Sequence, residues 1–293
     1  MEGLKRNPDL SVQIGNVVLP NPVGVASGTF GYGQEYSQLV DLQSLGALYT
    51  KAVSIEPKAG NKPPRLVETP RGLINSIGLA NPGLKVFLDE KLPYLAGLPC
   101  PVFVNVVGEA KSEYLAIVEG IEERAGPVCS GAAGTRTSMV EGYELNLSCP
   151  NVEKGGMSFG TEYSVVERIT KNIRDRTNRV VVVKLSPNVT DIADIAKAAE
   201  AGGADAVSCI NTVVGMAIDV KACKPLIAVR DAKKTGQLII NDAFPHQRDQ
   251  CQKNEAEQER DRMRQKAVAS AHGSHNWLNC DEEECSEEPQ HAK

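Results

Sequence analysis

The sequence predicts an α/β fold of the TIM (β/α)8-barrel type, in which six of the eight βα units are recognisable. Short apolar runs without alternation are separated by stretches of helical pattern, which is typical of parallel strands buried on both faces. Each run ends in a polar or small residue, and the carboxyl ends of barrel strands all converge on one mouth. A doubly wound sheet is the alternative, but its site would use fewer strand ends, near the switch point.

The predicted strands and helices alternate along the first part of the chain. The strand predictions cover residues 22–26, 47–50, 102–104, 143–147, 180–183 and 206–210. Helical patterns occupy residues 112–124, 163–176 and 190–201. The last of these begins with Thr190-Asp191 after Pro187, and Thr or Asp at that place makes a good N-cap.

Two insertions and a tail interrupt this alternation of strands and helices. Residues 55–100 are too long for an ordinary βα loop, so we expect them to cover the barrel mouth. Residues 126–141 are rich in Gly, Ala, Ser and Thr and are expected to form a surface excursion. We therefore divide the chain into a truncated barrel domain, residues 1–228, and a polar tail, residues 229–293, which is expected to be largely disordered. Within the tail only residues 237–240 resemble a strand.

Composition narrows the classes of function. The net charge of −5 gives no electrostatic reason to expect nucleic acid or an anionic membrane as a partner. There is no long apolar run and no secretory signal pattern, so the predicted location is cytoplasmic. All four histidines follow residue 245, so the predicted barrel must do acid–base chemistry without histidine. The spacing of His272, His275, Cys280 and Cys285 matches no common zinc finger, and no metal site is predicted.

The strongest local signal is the segment ELNLSCPN at residues 144–151. Cys149 follows the fourth predicted strand and precedes a loop with Gly155-Gly156, which would leave its thiol accessible. A thiolate there could take a proton from a carbon acid. The alternative is a small apolar residue that closes a strand, as most cytosolic cysteines are.

Two lysines form a second candidate set. Lys51 and Lys184 end the second and fifth predicted strands. A buried ammonium is costly unless an anion or a dipole meets it, so two lysines at one mouth favour ligand contacts. A flavin ring or a carboxylated substrate would suit them. The alternative for either lysine alone is a surface residue whose ammonium reaches water.

Asparagines form the third set. Asn105, Asn146 and Asn211 lie at strand ends, and Asn75 lies in the long insertion. An amide offers both a donor and an acceptor, so a ring of amides can bind a flat heterocycle that carries NH and C=O groups. Singly, each asparagine is more often a turn residue or a cap.

At these residues the sequence resembles dihydroorotate dehydrogenase, specifically the class 1B enzymes. The resemblance runs nearly continuously from Leu10 to Ala228. The motifs that carry it, in the family's order, are NPVGVASGTFGYG at 21–33, GNKPPRLVETPRGLINSIGLANPG at 60–83, ELNLSCPNVEKGG at 144–156, VKLSPNVTDI at 183–192 and INTVVGMAID at 210–219.

The resemblance implies a TIM barrel that binds flavin mononucleotide (FMN) at the strand carboxyl ends. Cys149 would remove the proton from C5 of dihydroorotate, and hydride would pass from C6 to N5 of the flavin. The implied flavin contacts are Ser27, Lys51, Ala52, Asn105, Asn146, Lys184 and Ile210. The implied contacts of the orotate ring and carboxylate are Lys51, Asn75, Ser76, Ile77, Gly78, Leu79, Asn146, Asn211 and Thr212.

The resemblance also implies partners. In class 1B enzymes a second subunit with FAD and a [2Fe–2S] cluster relays electrons to NAD, and the catalytic subunits form a homodimeric core. This chain has no four-cysteine cluster pattern, so the relay would need that partner.

The chain departs from the family after Ala228. The family continues with a Gly-rich segment and two more strands, whose loops hold the flavin phosphate, whereas here Val229-Arg230-Asp231 follows without resemblance. One alternative is therefore an inactive remnant that has lost the phosphate site. Another is an enzyme like dihydropyrimidine dehydrogenase, whose flavin half shares the Asn-Leu-Ser-Cys-Pro motif. The long match over residues 64–83 argues against the second alternative.

Overall fold

Strands and helices alternate along the described part of the chain. The computed structural model describes residues 8–69, 72–126, 138–147, 150–151, 157–219, 224–227 and 236–240. The strands are β1 Val12–Ile14, β2 Val17–Leu19, β3 Gly24–Val25, β4 Ala47–Tyr49, β5 Leu66–Thr69, β6 Gly72–Asn75, β7 Val102–Val106, β8 Gly142–Asn146, β9 Pro150–Asn151, β10 Met157–Ser158, β11 Val180–Lys184, β12 Ala206–Ser208, β13 Val213–Gly215, β14 Ile218–Asp219, β15 Lys224–Pro225 and β16 Gly236–Ile240. The helices are α1 Gly83–Val86, α2 Leu92–Ala96, α3 Lys111–Ala125, α4 Tyr163–Arg174 and α5 Ile192–Ala201.

A six-stranded parallel sheet organises the fold. Its spatial order is β12-β11-β8-β7-β4-β3. Each of these strands therefore pairs with the strand of this sheet that comes before it in the sequence. All six predicted strands are present, with bounds that differ by up to two residues. The predicted sixth strand is wrong at its end, because β12 stops at Ser208 and leaves Ile210 beyond it.

The sheet is curled rather than flat. In a flat sheet the first and fifth strands would lie about 19 Å apart, because neighbouring strands are about 4.8 Å apart. Here Lys184 Nζ, at the end of β11, lies 2.8 Å from Ser27 Oγ, just after β3. This contact confirms the prediction of a barrel-type sheet over a doubly wound one. Among the described residues β3 and β12 form the two edges of the sheet, so the barrel is incomplete, as predicted.

Helices cover the outer face of the sheet. On α3, Tyr114, Ile117 and Ile121 are fully buried, at the three- and four-residue spacing of an amphipathic helix. They belong to one apolar core with Val181 and Val183 of β11 and with the buried faces of α4 and α5. The predicted N-cap of α5 is confirmed at Asp191, whose carboxylate accepts from Ala193 N at 2.8 Å.

The inner face of the sheet encloses a second apolar cluster. Val180 and Val182, which alternate with the outward Val181 and Val183, pack there with Ala47, Phe103 and Leu19. Leu19 comes from the β1–β2 hairpin, and Ala47 and Val180 begin their strands, so the hairpin closes the amino-terminal end of the barrel. The opposite, carboxyl end is therefore the end that can accept a ligand.

The long insertion builds a second sheet. The hairpin β5–β6 joins β16 and β13 in a four-stranded antiparallel sheet of order β13-β16-β6-β5. Because β13 follows the carboxyl tip of β12 closely, this sheet begins at the barrel mouth. The prediction of a strand at residues 237–240 is confirmed by β16, which pairs Gln237 with Asn75. Within the described residues, no helix is long and apolar enough to cross a lipid bilayer.

Candidate active site at the carboxyl ends of the strands

Three of the residues implicated in flavin binding meet at the mouth. Ser27 Oγ accepts from Lys184 Nζ at 2.8 Å and from Asn105 Nδ2 at 3.2 Å. Their strands are the first, fifth and third of the parallel sheet, so only the curl of the sheet brings them together. Lys184 is largely enclosed, since its side chain is 11% exposed.

Three asparagine amides continue from this cluster as a chain of hydrogen bonds. Asn211 Nδ2 donates to Asn146 Oδ1 at 2.9 Å, and Asn146 Nδ2 donates to Asn105 Oδ1 at 3.4 Å. Asn211 Oδ1 accepts in turn from Thr212 N at 2.9 Å. The structure thus joins residues of the predicted flavin set to residues of the predicted substrate set.

Glu144 belongs to this cluster, although it is not among the residues predicted from the sequence. Its side chain is 2% exposed, and its Oε2 accepts from Asn105 Nδ2 at 2.5 Å and lies 3.9 Å from Lys184 Nζ. A signal was available: Glu144 and Asn146 are two residues apart in a strand and so share its inner face. A carboxylate on the inner face of a buried strand indicates a polar function there.

Lys51 and Ala52 follow β4. The backbone N–H of Lys51 donates to Gly31 O at 2.8 Å, and the Ala52 carbonyl accepts from the Tyr32 hydroxyl at 3.1 Å. Burial lowers the pKa of Lys51, the positive charge of Arg65 lowers it further, and Glu35 partly opposes both effects. An ammonium in these surroundings is stabilised when an anion binds beside it.

The segment implicated in substrate binding, residues 75–79, leaves the end of β6. Asn75 is buried, and its Oδ1 accepts from Ile77 N at 3.4 Å. The Ser76 carbonyl accepts from Asn61 Nδ2 at 2.7 Å. Gly78 and Leu79 both take positive φ values, 75° and 55°, which turn the chain. Leu79 then packs against the small apolar cluster of Ala52 and Val107, so this segment reaches a cluster that contains a predicted flavin residue.

The loop after β12 carries the remaining candidates. Asn211 N donates to Leu185 O at 2.8 Å, which holds the loop against the end of β11. Ile210 is exposed. Thr212 Oγ1 is buried without a hydrogen-bond partner among the described residues. A buried hydroxyl in that state is costly unless a ligand meets it.

Several predicted features lie outside the described residues. Cys149 and the Gly155-Gly156 pair are among them, as is most of the 126–141 excursion. So are His272 and the other histidines and cysteines of the tail. Within the described part of the chain, no group of three or more His, Cys, Asp or Glu side chains is arranged to hold a metal ion.

Comparison with known proteins gives a consistent result. Residues 9–239 match the family model described as dihydroorotate dehydrogenase. The chain is 44% identical over 223 residues to the "Dihydroorotate dehydrogenase B (NAD(+)), catalytic subunit" of Geobacter sp. (strain M21), covering 76% of this chain and 69% of that protein. The protein of the same name from Desulforamulus reducens is 47% identical over 219 residues, covering 75% and 68%.

A solved structure resembles the fold. The crystal structure of DHODH from Eimeria tenella in complex with ferulenol matches with a TM-score of 0.57 at 20% identity. The match covers 81% of this chain and 66% of that one, slightly less than two thirds. At this identity the likeness bears on the fold alone.

Proposed function

Since the chain belongs to the dihydroorotate dehydrogenase family, a family of oxidoreductases, we propose that it oxidises dihydroorotate to orotate in pyrimidine biosynthesis with FMN as cofactor. The observation that carries this proposal is the cluster of Ser27, Asn105 and Lys184 at one end of the curled sheet. Bound FMN would supply the electron acceptor for the reaction. The residues of this chain would bind and orient the reactants and remove the proton.

The described residues fit the ring end of a flavin. Lys184 provides an enclosed ammonium that suits the electron-rich edge of the ring, and Asn105 and Asn146 provide amides beside it. Thr212 provides a buried hydroxyl that lacks a partner among the described residues. For the phosphate end, the described residues contain no loop that follows a seventh or eighth strand. The fit therefore concerns the ring and leaves the phosphate to other parts of the chain or to solvent.

The same arrangement suits orotate and dihydroorotate. Both carry ring NH and C=O groups, and the amides of Asn75, Asn146 and Asn211 can each donate and accept. Lys51 offers a positive charge for the carboxylate. The packing of Leu79 against the cluster of Ala52 and Val107 supports a site in which the substrate segment lies next to a flavin residue.

Cys149 is the proposed base. In the sequence it comes three residues after Asn146, the last residue of β8. Its thiolate would take the proton from C5 of dihydroorotate, and there is no histidine before residue 246 to compete for this task. The assignment of the role rests on the resemblance of the ELNLSCPN segment to the family's motif.

Partners follow from the names of the relatives. Those proteins are named catalytic subunits of an NAD(+)-linked enzyme. We propose a second, electron-transfer subunit with FAD and a [2Fe–2S] cluster for this chain too, together with a homodimeric core and a cytoplasmic location.

The decisive experiment follows the visible colour of purified protein. Bound flavin makes the protein yellow, and dihydroorotate should bleach that colour under anaerobic conditions. In Cys149→Ala the flavin should still bind but bleach at least about a hundredfold more slowly at neutral pH, since general acid–base catalysis contributes about 10²–10⁴-fold. Cys100→Ala, which removes a buried thiol just before β7 and so far from the mouth, should bleach normally. Undiminished bleaching in Cys149→Ala would refute the assigned base.

A second candidate is a non-catalytic remnant. It is favoured by the two unpaired edges of the six-stranded sheet, as far as the structure describes the chain, and by the exposed apolar side chains of Val207, Ile210 and Val214 near one of them. It predicts colourless protein even after addition of FMN, so tight stoichiometric flavin binding would eliminate it. Turnover of dihydrouracil but not dihydroorotate would instead favour the dihydropyrimidine dehydrogenase alternative.

A further inference from the structure

We infer that Glu144 is a positioning residue: its buried carboxylate fixes the direction in which Asn105, Asn146 and Asn211 present their amide groups at the barrel mouth. The chain of hydrogen bonds from Asn211 through Asn146 and Asn105 to Glu144, called the relay below, is a property of the fold. Its effect on ligands rests on the function proposed above, because it concerns how the flavin is bound.

The position of Glu144 is unusual for a carboxylate. Its register neighbours are Asn105 on β7 and Val182 on β11, and it lies on the inner face of the sheet, 2% exposed. Asn105 is equally enclosed, at 1% exposed. Buried carboxylates persist when they are paired and hydrogen-bonded, and Glu144 has both kinds of partner in Lys184 and Asn105.

The carboxylate sets the direction of the relay. An ionised carboxylate can only accept hydrogen bonds, so Asn105 must turn its Nδ2 toward Glu144. That leaves Asn105 Oδ1 as acceptor for Asn146 Nδ2 at 3.4 Å, which in turn leaves Asn146 Oδ1 as acceptor for Asn211 Nδ2 at 2.9 Å. Each amide is therefore oriented by the next, and the chain of donors ends at Glu144.

The other end of the relay is fixed in the same sense. Asn211 Oδ1 accepts from the backbone N–H of Thr212 at 2.9 Å, and a backbone N–H can only donate. A pure donor thus begins the chain and a pure acceptor ends it. Reversal of one amide would place two donors or two acceptors face to face, so the three amides act as a unit.

Glu144 also balances charge. Its Oε2 lies 3.9 Å from Lys184 Nζ, the ammonium expected to face the flavin. A negative charge at that distance offsets part of the positive potential that Lys184 presents at the mouth. Loss of the negative charge should therefore favour the reduced, more negatively charged state of a bound flavin.

The first test needs no flavin. We would compare Glu144→Gln with wild type by NMR of the ¹⁵N-labelled protein, following the asparagine side-chain amides assigned by single Asn→Asp variants. The introduced carboxamide could donate as well as accept, so the amide signals of all three asparagines should move, and the Asn105 Nδ2 protons should exchange with water about tenfold faster. Glu144→Asp, which keeps a pure acceptor, should restore most of the wild-type pattern.

A matched control is available at the other end of the barrel. Glu122 is a carboxylate on α3 that pairs with Arg179, just before β11 begins, whereas Lys184 ends that strand about 16 Å away. Glu122→Gln should leave the three amide signals in place. The inference fails if Glu144→Gln moves only the Asn105 signal or none, or if Glu122→Gln moves all three equally.

The second test measures the reduction potential of bound flavin. At a fixed potential, Glu144→Gln should raise the ratio of reduced to oxidised flavin about tenfold, which is about 30 mV for a two-electron couple. Glu122→Gln should leave it unchanged, and an unshifted potential in Glu144→Gln would overturn the charge-balancing role. If the wild-type chain binds no flavin, the proposed function fails, while the NMR comparison still decides the relay.

Discussion

Lys184 Nζ donates a hydrogen bond of 2.8 Å to Ser27 Oγ, although Lys184 ends the fifth strand of the parallel sheet and Ser27 follows the first. The bond spans the mouth of the curled sheet and includes residues that the family resemblance assigns to the flavin. The curvature of the sheet therefore creates the geometry of the site. A change at either residue should affect ligand binding before it affects the apolar core.

The first prediction concerns the charge of Lys184. Lys184→Met keeps the aliphatic stem and removes the ammonium, so FMN binding should weaken by about 10- to 100-fold, the range expected for the loss of a hydrogen bond to a charged group. Quenching of flavin fluorescence on titration with protein measures this affinity. Lys197→Met, at an exposed position on α5, is the matched control and should bind FMN normally. Equal affinity in both variants would contradict the assignment of Lys184 to the flavin.

The second prediction concerns Arg179, a fully buried arginine. Its Nε lies 3.1 Å from Glu122 Oε1, and its other N–H groups donate to the Ser138 hydroxyl and to the carbonyls of Val140 and Gly126. Arg179→Met would remove the positive charge and all of these N–H donors. Glu122 would keep hydrogen bonds from the Tyr143 and Thr177 hydroxyls, and the Val140 carbonyl would keep one from Ser138 Oγ. The free energy of unfolding, measured by urea denaturation, should fall by about 3–5 kcal/mol.

The control for Arg179 is an exposed pair of the same chemistry. Arg176 Nε lies 2.8 Å from Glu119 Oε1, and both side chains are about half exposed. Because water and salt screen such a pair, Arg176→Met should cost less than about 1 kcal/mol. If the two variants lost similar stability, burial would not be the reason for the effect at Arg179.

The third prediction concerns Gly142, the first residue of β8. A Cβ there would lie 2.9 Å from the Phe103 ring and closer still to the Val180 carbonyl. Phe103 is fully buried and stacks on Tyr49, with ring centroids 4.8 Å apart, so it has little room to move. Gly142→Ala should lower the midpoint of urea unfolding by an amount equivalent to about 1–3 kcal/mol.

Gly97 provides the comparison for this overpacking. A Cβ at Gly97 would meet only the Tyr94 carbonyl oxygen, at 3.5 Å, an ordinary contact. The backbone φ of −86° is also open to any residue. Gly97→Ala should therefore stay within about 0.5 kcal/mol of wild type. If Gly97→Ala lost more free energy of unfolding than Gly142→Ala, the close contacts of a Cβ at Gly142 would not be the cause of destabilisation.

The fourth prediction concerns alkaline pH. Burial, reinforced by the negative charge of Glu144, raises the pKa of Tyr49 from 10.0 to about 12. The neutral phenol is thus favoured in the folded chain, and its stabilising contribution is complete below pH 10 and lost as the pH rises toward 12. The free energy of unfolding should fall over this range, and less steeply in Tyr49→Phe. Parallel slopes in wild type and Tyr49→Phe would exclude Tyr49 as a source of the loss.

The sequence predicted the strands well and their contacts poorly. The run VVVVK in β11 is buried on both faces, and such a run is read from local composition. The predicted sixth strand extends two residues beyond the end of β12, because Ile210 continues the apolar pattern although the backbone has already left the sheet. Glu144 is not predicted, because the role of a single charged residue in a strand depends on its partners on neighbouring strands, and these are known only from the structure.

What the sequence determined by itself is the order of the βα units and the polar side chains that end them, since apolar runs and helical periodicity are local properties. The tertiary structure decided which of those side chains meet. The bond between Ser27 and Lys184, the relay that ends at Glu144, and the pairing of β16 with β6 all depend on register and sheet curvature. Those are set by packing across the whole sheet, where a shift of one residue would turn every side chain to the opposite face.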